Sequence, residues 1–173
     1  MEFRLAIISD LDNLKKFYDD IIDGQVDDDY SAKWTKDVYP SRSDILNHIE
    51  NNEMFIGLID DEIAAAGAIS FKEDPMYHCD KWKLKLSDDE VGVLHIFAVS
   101  KKFRRHGIST TMLQYLIEQI KAQGLKAIHL DTYINNVPAE RLYKKNGFEY
   151  RGLLNVYYED TGNIDVELFE YII

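Results

Sequence analysis

The stretch VGVLHIFAVS, residues 91–100, is apolar at almost every position. A strand with one wet face alternates apolar and polar residues, so this one reads as a central strand covered on both faces. A short basic turn, KKFRRHG, follows it. Apolar residues then recur at Ile108, Met112, Leu113, Leu116, Ile117 and Ile120, which is helical spacing over 106–123, and Gly124 marks its end. A doubly buried strand running through a glycine-containing turn into an amphipathic helix belongs in a sheet with helices packed on it.

The rest of the chain fits that frame. FRLAII (3–8) reads as a strand, and Ser9 or Asp10 caps a helix to about Asp23 with Leu11, Leu14, Phe17, Tyr18, Ile21 and Ile22 on one face. Segment 24–42 is acidic, aromatic and irregular, holding Tyr30, Trp34, Tyr39 and Pro40. Ser43 or Asp44 starts a short helix carrying Ile45, Leu46 and Ile49. Residues 54–60 and 62–71 form a hairpin turning at Asp60-Asp61, and 72–89 is a polar loop with Tyr77 and Trp82. KAIHLDTY (126–133) is a strand; Asn135 or Asn136 caps a helix through Asn146, with Pro138 in its first turn. Strands at 148–158 and 164–172 close the chain around DTGN. This order predicts one domain over residues 1–173, an α/β (α+β) mixed sheet with helices on both faces.

Composition narrows the function. The formal net charge is -11, which argues against a nucleic-acid binder or a binder of anionic membranes. No apolar run reaches the length of a membrane span, and the first residues lack the pattern of a signal peptide. The lone Cys79 allows no internal disulfide and fits a reducing cytoplasm. His78-Cys79-Asp80 lacks partners at metal-site spacing, so no metal is expected.

Against this acidic background, Lys101, Lys102, Arg104 and Arg105 stand together, and no acidic residue occurs between Glu90 and Glu118. With 31 Asp and Glu in 173 residues, about five would fall there by chance. The first turn of the following helix offers free backbone N–H groups and the positive end of the helix dipole. Gly107 lets an anion approach the backbone, so the turn is a natural phosphate site. It is not a P-loop, because no GxxxxGK[ST] occurs, and no GxGxxG follows the first strand.

A second pattern lies about thirty residues on. INNVPAERLYKKNGF (134–148) places Asn136, Ala139 and Tyr143 on one helix face. Together, LHIFAVSKKFRRHGIS and NNVPAERLYKKNGF resemble the two signature motifs of the GCN5-related N-acetyltransferases, the GNAT superfamily. The family pattern [Q/R]-x-x-G-x-[G/A] is met by Arg104 and Gly107, with Ser109 in place of the usual small residue. The resemblance implies the acyl-CoA N-acyltransferase fold, its sheet splayed between the fourth and fifth strands. It implies acetyl-CoA as the cofactor, its pyrophosphate cradled by the amides of Arg105, His106, Gly107, Ile108 and Ser109 beside Arg104. Its pantetheine arm would lie along Phe97, Ala98 and Val99, opposite Asn136 and Ala139.

The same resemblance places Tyr143 near the thioester sulfur, where a phenol protonates the departing thiolate. It also makes His95 a candidate base, relaying the amine proton through water, since arylalkylamine N-acetyltransferases carry a histidine there. Strand alternation puts His95 on the face of Val93, Phe97 and Val99; an ordinary core histidine is the competing reading. Trp34, Tyr39, Tyr77, Trp82 and Tyr133 are candidates to line an amine pocket, each set against ordinary packing. Asp131 and Asp29 are acids that would attract a cation, although a solvated or hydrogen-bonded acid is the plainer reading.

The expectation is a cytoplasmic acetyl-CoA-dependent N-acetyltransferase acting on a small-molecule or peptide amine by direct attack in a ternary complex. Its alternative is a non-catalytic acyl-CoA-binding regulatory or interaction domain. Homodimers are common in the family, and VELFEYII (166–173) is a candidate edge strand for one.

Overall fold

The computed structural model describes residues 1–25, 32–159 and 161–173; Asp29 and Tyr30 lie outside them. Among the described residues, the strands β1 (Glu2–Leu5), β2 (Met54–Ile59), β3 (Glu62–Ser70), β4 (Val91–Val99), β5 (Ala127–Tyr133), β6 (Glu149–Tyr158) and β7 (Gly162–Ile172) form one sheet. Its order is β1-β2-β3-β4-β5-β7-β6. Neighbours are antiparallel except β4 and β5, which run parallel. The helices are α1 (Leu11–Asp23), α2 (Arg42–Glu50), α3 (Ile108–Ala122) and α4 (Val137–Lys145), and no helix among the described residues is long and apolar enough to cross a membrane.

Local chemistry sets the helix ends. Ser41 caps α2, two or three residues before Ser43 or Asp44, where the sequence reading placed the start. Its Oγ accepts from the Asp44 N–H at 3.2 Å while Asp44 accepts from the Ser41 N–H at 2.8 Å. Asn136 caps α4 by accepting from the Ala139 N–H at 3.3 Å. Asp10 precedes α1 but gives its carboxylate to Arg4, at 2.6 and 2.9 Å, and to the Ile7 N–H.

Each sheet face has its own core. Leu94, Met112, Leu116, Tyr143, Phe148 and Phe169 pack under α3 and α4. Leu14, Tyr18, Ile45, Ile96 and Ala98 pack under α1 and α2. Segment 72–90 covers a third group, Tyr77, Val91, Val93, Val156, Val166 and Leu168.

Two sequence expectations are corrected. VELFEYII lies in β7, hydrogen-bonded by β5 on one side and β6 on the other, so it offers no free edge; the outer strands are β1 and β6. In β4, Ala68 faces His95 and Ala66 faces Ala98, so Ile96 and Phe97 together oppose the single residue Gly67. The bulge resets the alternation. Phe97 and Val99 pack toward α3, whereas His95 stacks on His48 of α2 at 5.7 Å. Ile96 takes the cost, with φ at +42°, an uncommon value for a β-branched residue. The Tyr18 hydroxyl, from α1, donates to the Ile96 carbonyl at 2.8 Å and holds the bulge in place.

Candidate active site

The bulge and the parallel pairing together open a gap. β4 and β5 pair only over Val91–Val93 and Ala127–His129. Beyond that the strands part, leaving Leu94–Val99 without a β5 partner, and a cavity of about 750 Å³ occupies the space. Its walls are Leu94–Val99 of β4, Asp131–Tyr133 of β5, and Asn136, Ala139, Leu142 and Tyr143 of α4. Arg104, Arg105, Ile108 and Ser109 close one end.

That end is formed by the uncapped start of α3. Gly107 occupies the N-cap position of α3 at φ +76°, a conformation that favours glycine. A side chain there would touch nothing within 4 Å, so backbone conformation and open access, not packing, call for glycine. Among the described residues no side chain caps α3 and its first turn holds no acid, so its N–H groups stay available. Arg105 also takes positive φ, at +68°, turning the chain just before the helix. His106 lies to one side, in a separate small pocket with Met1, Ile59 and Phe103.

Tyr143 and His95 line the same cavity from opposite faces of the sheet. Tyr143 is buried against Phe148 and Phe169, with ring centroids 5.6 and 5.7 Å away. Burial, and then the charge of Asp131, raises its pKa, so it is a protonated phenol at neutral pH. His95 is depressed to about 4, first by burial and then by His48, against the opposing pull of Asp74 and Glu53. It is therefore neutral at pH 7, with its proton affinity weakened by burial.

The other lobe is acidic and aromatic. Asp131 sits deep in the protein yet keeps some contact with the cavity. Tyr77 donates to its Oδ1, and Tyr158 donates to its Oδ2 at 3.0 Å. Burial raises the Asp131 pKa and the two phenols partly offset this. Trp34, Tyr39, Asp74, Met76 and Tyr133 line the same space. Trp82 does not: its ring lies flat on His129, and its Nε1 donates to the Tyr77 carbonyl at 2.8 Å. Tyr158 and Asp74 escaped the sequence reading. Each reaches the cavity through tertiary packing, and no local pattern marks it.

The sequence model of the Acetyltransferase (GNAT) family matches residues 22–148. A GNAT-family acetyltransferase from Streptococcus agalactiae superposes with a TM-score of 0.83 at 25% identity, over 99% of this chain and 95% of that one. A putative acetyltransferase from Salmonella typhimurium, solved with its cofactor acetyl-CoA, superposes at 0.73 and 13% identity, over 99% and 93% of the two chains. A putative [ribosomal protein bS18]-alanine N-acetyltransferase of Bacillus subtilis is 27% identical over 49% of this chain and 54% of its own length. The chain spans about half the length, or less, of the curated relatives it matches.

Proposed function

The chain belongs to the acetyltransferase (GNAT) family, and from that premise we propose that it transfers an acetyl group from acetyl-CoA to an amine, both bound at once across the β4–β5 gap. One observation carries the reading: a single cavity runs from the uncapped start of α3 to the lobe holding Tyr143, His95 and Asp131.

The residues fit acetyl-CoA. Free N–H groups at the start of α3, flanked by Arg104 and Arg105, suit a diphosphate. The unpaired side of β4 over Phe97, Ala98 and Val99 offers backbone groups to an amide-bearing arm. Asn136 and Ala139 form the facing wall. When bound, acetyl-CoA supplies an activated acyl thioester.

The remaining work falls to this chain. An alkylammonium near pKa 10 is no nucleophile, so its proton must leave before attack. Water carries that proton away, and His95, neutral at pH 7, would accept the second one, which the nitrogen sheds as its bond to the acyl carbon forms and its acidity rises. Tyr143, kept protonated, would deliver one from Oη to the departing sulfur. Asp131 and the rings beside it would receive the ammonium form of the acceptor. The named activities of relatives bring alanine-ended peptides onto the acceptor panel beside small amines.

The test is thiol release from acetyl-CoA against that panel, paired with thermal melting. Acetyl-CoA should raise Tm, and Gly107→Glu should abolish the shift by placing a carboxylate in the cradle. An unchanged melting point at saturating acetyl-CoA in the natural chain would refute the reading.

A further inference from the structure

Behind the acceptor lobe lies a buried charged cluster with no part in the chemistry above. His129, on β5 two residues before Asp131, is 2% exposed. Its Nδ1 is hydrogen-bonded to Glu73, and its Nε2 lies 3.5 Å from Glu170 without a hydrogen bond. Glu73 is 6% exposed and Glu170 fully buried. Glu170, on β7, also accepts from Arg151 of β6 at 2.5 Å and from the backbone N–H groups of Lys83 and Leu84 at 3.1 and 3.4 Å. The Trp82 ring stacks on the imidazole at 3.6 Å, with 10° between the planes.

Such a cluster is a poor source of stability. Desolvating two carboxylates offsets much of what their contacts return, and a buried ring nitrogen without a hydrogen bond adds to the cost. What the contacts share is a destination. Glu73, Trp82, Lys83 and Leu84 all belong to segment 72–90, and all are tied to the sheet at or beside His129. The same segment sends Asp74, Met76 and Tyr77 into the acceptor lobe. Trp82, pinned on His129, holds the Tyr77 carbonyl, while the Tyr77 hydroxyl reaches Asp131.

We propose that His129 is a positioning residue: hydrogen-bonded to Glu73 and stacked beneath Trp82 beside Glu170, it holds segment 72–90 where Tyr77 meets Asp131, and so sets which amines the pocket accepts. The inference rests on the acetyltransferase reading for the nature of the acceptor, but the anchoring it describes can be read without turnover.

Two variants separate the contacts. His129→Phe keeps a ring for Trp82 and removes both nitrogens. His129→Asn keeps a donor on the side of Glu73 and removes the ring. Each is compared with the natural chain by trypsin cleavage at the exposed Lys81, Lys83 and Lys85, by the Tm shift with acetyl-CoA, and by acceptor kinetics. The expected result for His129→Phe is faster cleavage confined to those lysines and an unchanged acetyl-CoA shift. Its acceptor KM should rise about tenfold with kcat within about threefold. His129→Asn should restore part of the KM.

Natural cleavage rates and natural acceptor KM in His129→Phe would overturn the proposal. So would equal losses in the acetyl-CoA shift and acceptor KM, which would mark a general scaffold role. If the natural chain acetylates no amine, the acetyltransferase reading fails, and cleavage at the three lysines still decides whether His129 anchors the segment.

Discussion

Replacing His95 by Gln tests the charge state on which its role depends. Burial and the neighbouring His48 bring its pKa from 6.5 to about 4, outweighing Asp74 and Glu53. In the unfolded chain the imidazole titrates near 6.5. Between those values the unfolded state binds a proton that the folded state refuses, so stability rises with pH through the window. The contribution is intact above about 6.5 and is lost as pH falls toward 4. The full span corresponds to about 3 kcal/mol, most of it already lost by about pH 4.5. Urea unfolding of the natural chain and of His95→Gln, at pH 7 and at about pH 4.5, isolates it, because every other group is common to both. The natural chain should lose about 2–3 kcal/mol more than the variant on acidification. Parallel losses would show that His95 titrates normally in the fold. The kinetic counterpart is a kcat for His95→Gln lower by a factor of about 10²–10⁴ at pH 7. The natural enzyme should show no acid limb from His95 until pH approaches 4.

Tyr18→Phe removes the hydroxyl that holds the Ile96 carbonyl at the bulge. It should destabilise the fold by about 1–3 kcal/mol, read by urea unfolding, and weaken acetyl-CoA binding as the gap loses its shape. Tyr143→Phe should lower kcat by a factor of about 10²–10⁴ while leaving the acetyl-CoA Tm shift unchanged; an unaffected rate would make the phenol a bystander. Ser41→Ala removes the cap of α2 and should cost about 0.5–2 kcal/mol in urea unfolding.

Much of the architecture could be read along the chain because it rests on neighbours in sequence. The apolar face of α1, with Leu14, Phe17 and Tyr18 inward, follows from a 3.6-residue period. Strand β4 is recognisable by its unbroken apolar run, and the turn before α3 by its basic residues and Gly107. The residues expected around the cofactor, from Phe97 through Ser109 to Tyr143, recur largely around one cavity. Harder to read were the parts whose position depends on another strand. Trp82 looked like a pocket aromatic and instead covers His129, because segment 72–90 docks through Glu73 and Glu170.

By itself the sequence determined the alternation of strands and helices, the basic, glycine-containing turn and the helix face bearing Asn136, Ala139 and Tyr143. All of these are set within a few residues by periodicity, capping and backbone preference. Only the tertiary structure decided that His95 and Phe97 point to opposite faces, since a bulge is a mismatch in residue count between two strands and neither strand carries it alone. Only the tertiary structure placed β7 inside the sheet and brought Tyr77, Asp131 and Tyr158 together from three separate segments. Contacts between residues 27 and 54 positions apart leave no local trace, because what holds them is burial and hydrogen bonding across the fold.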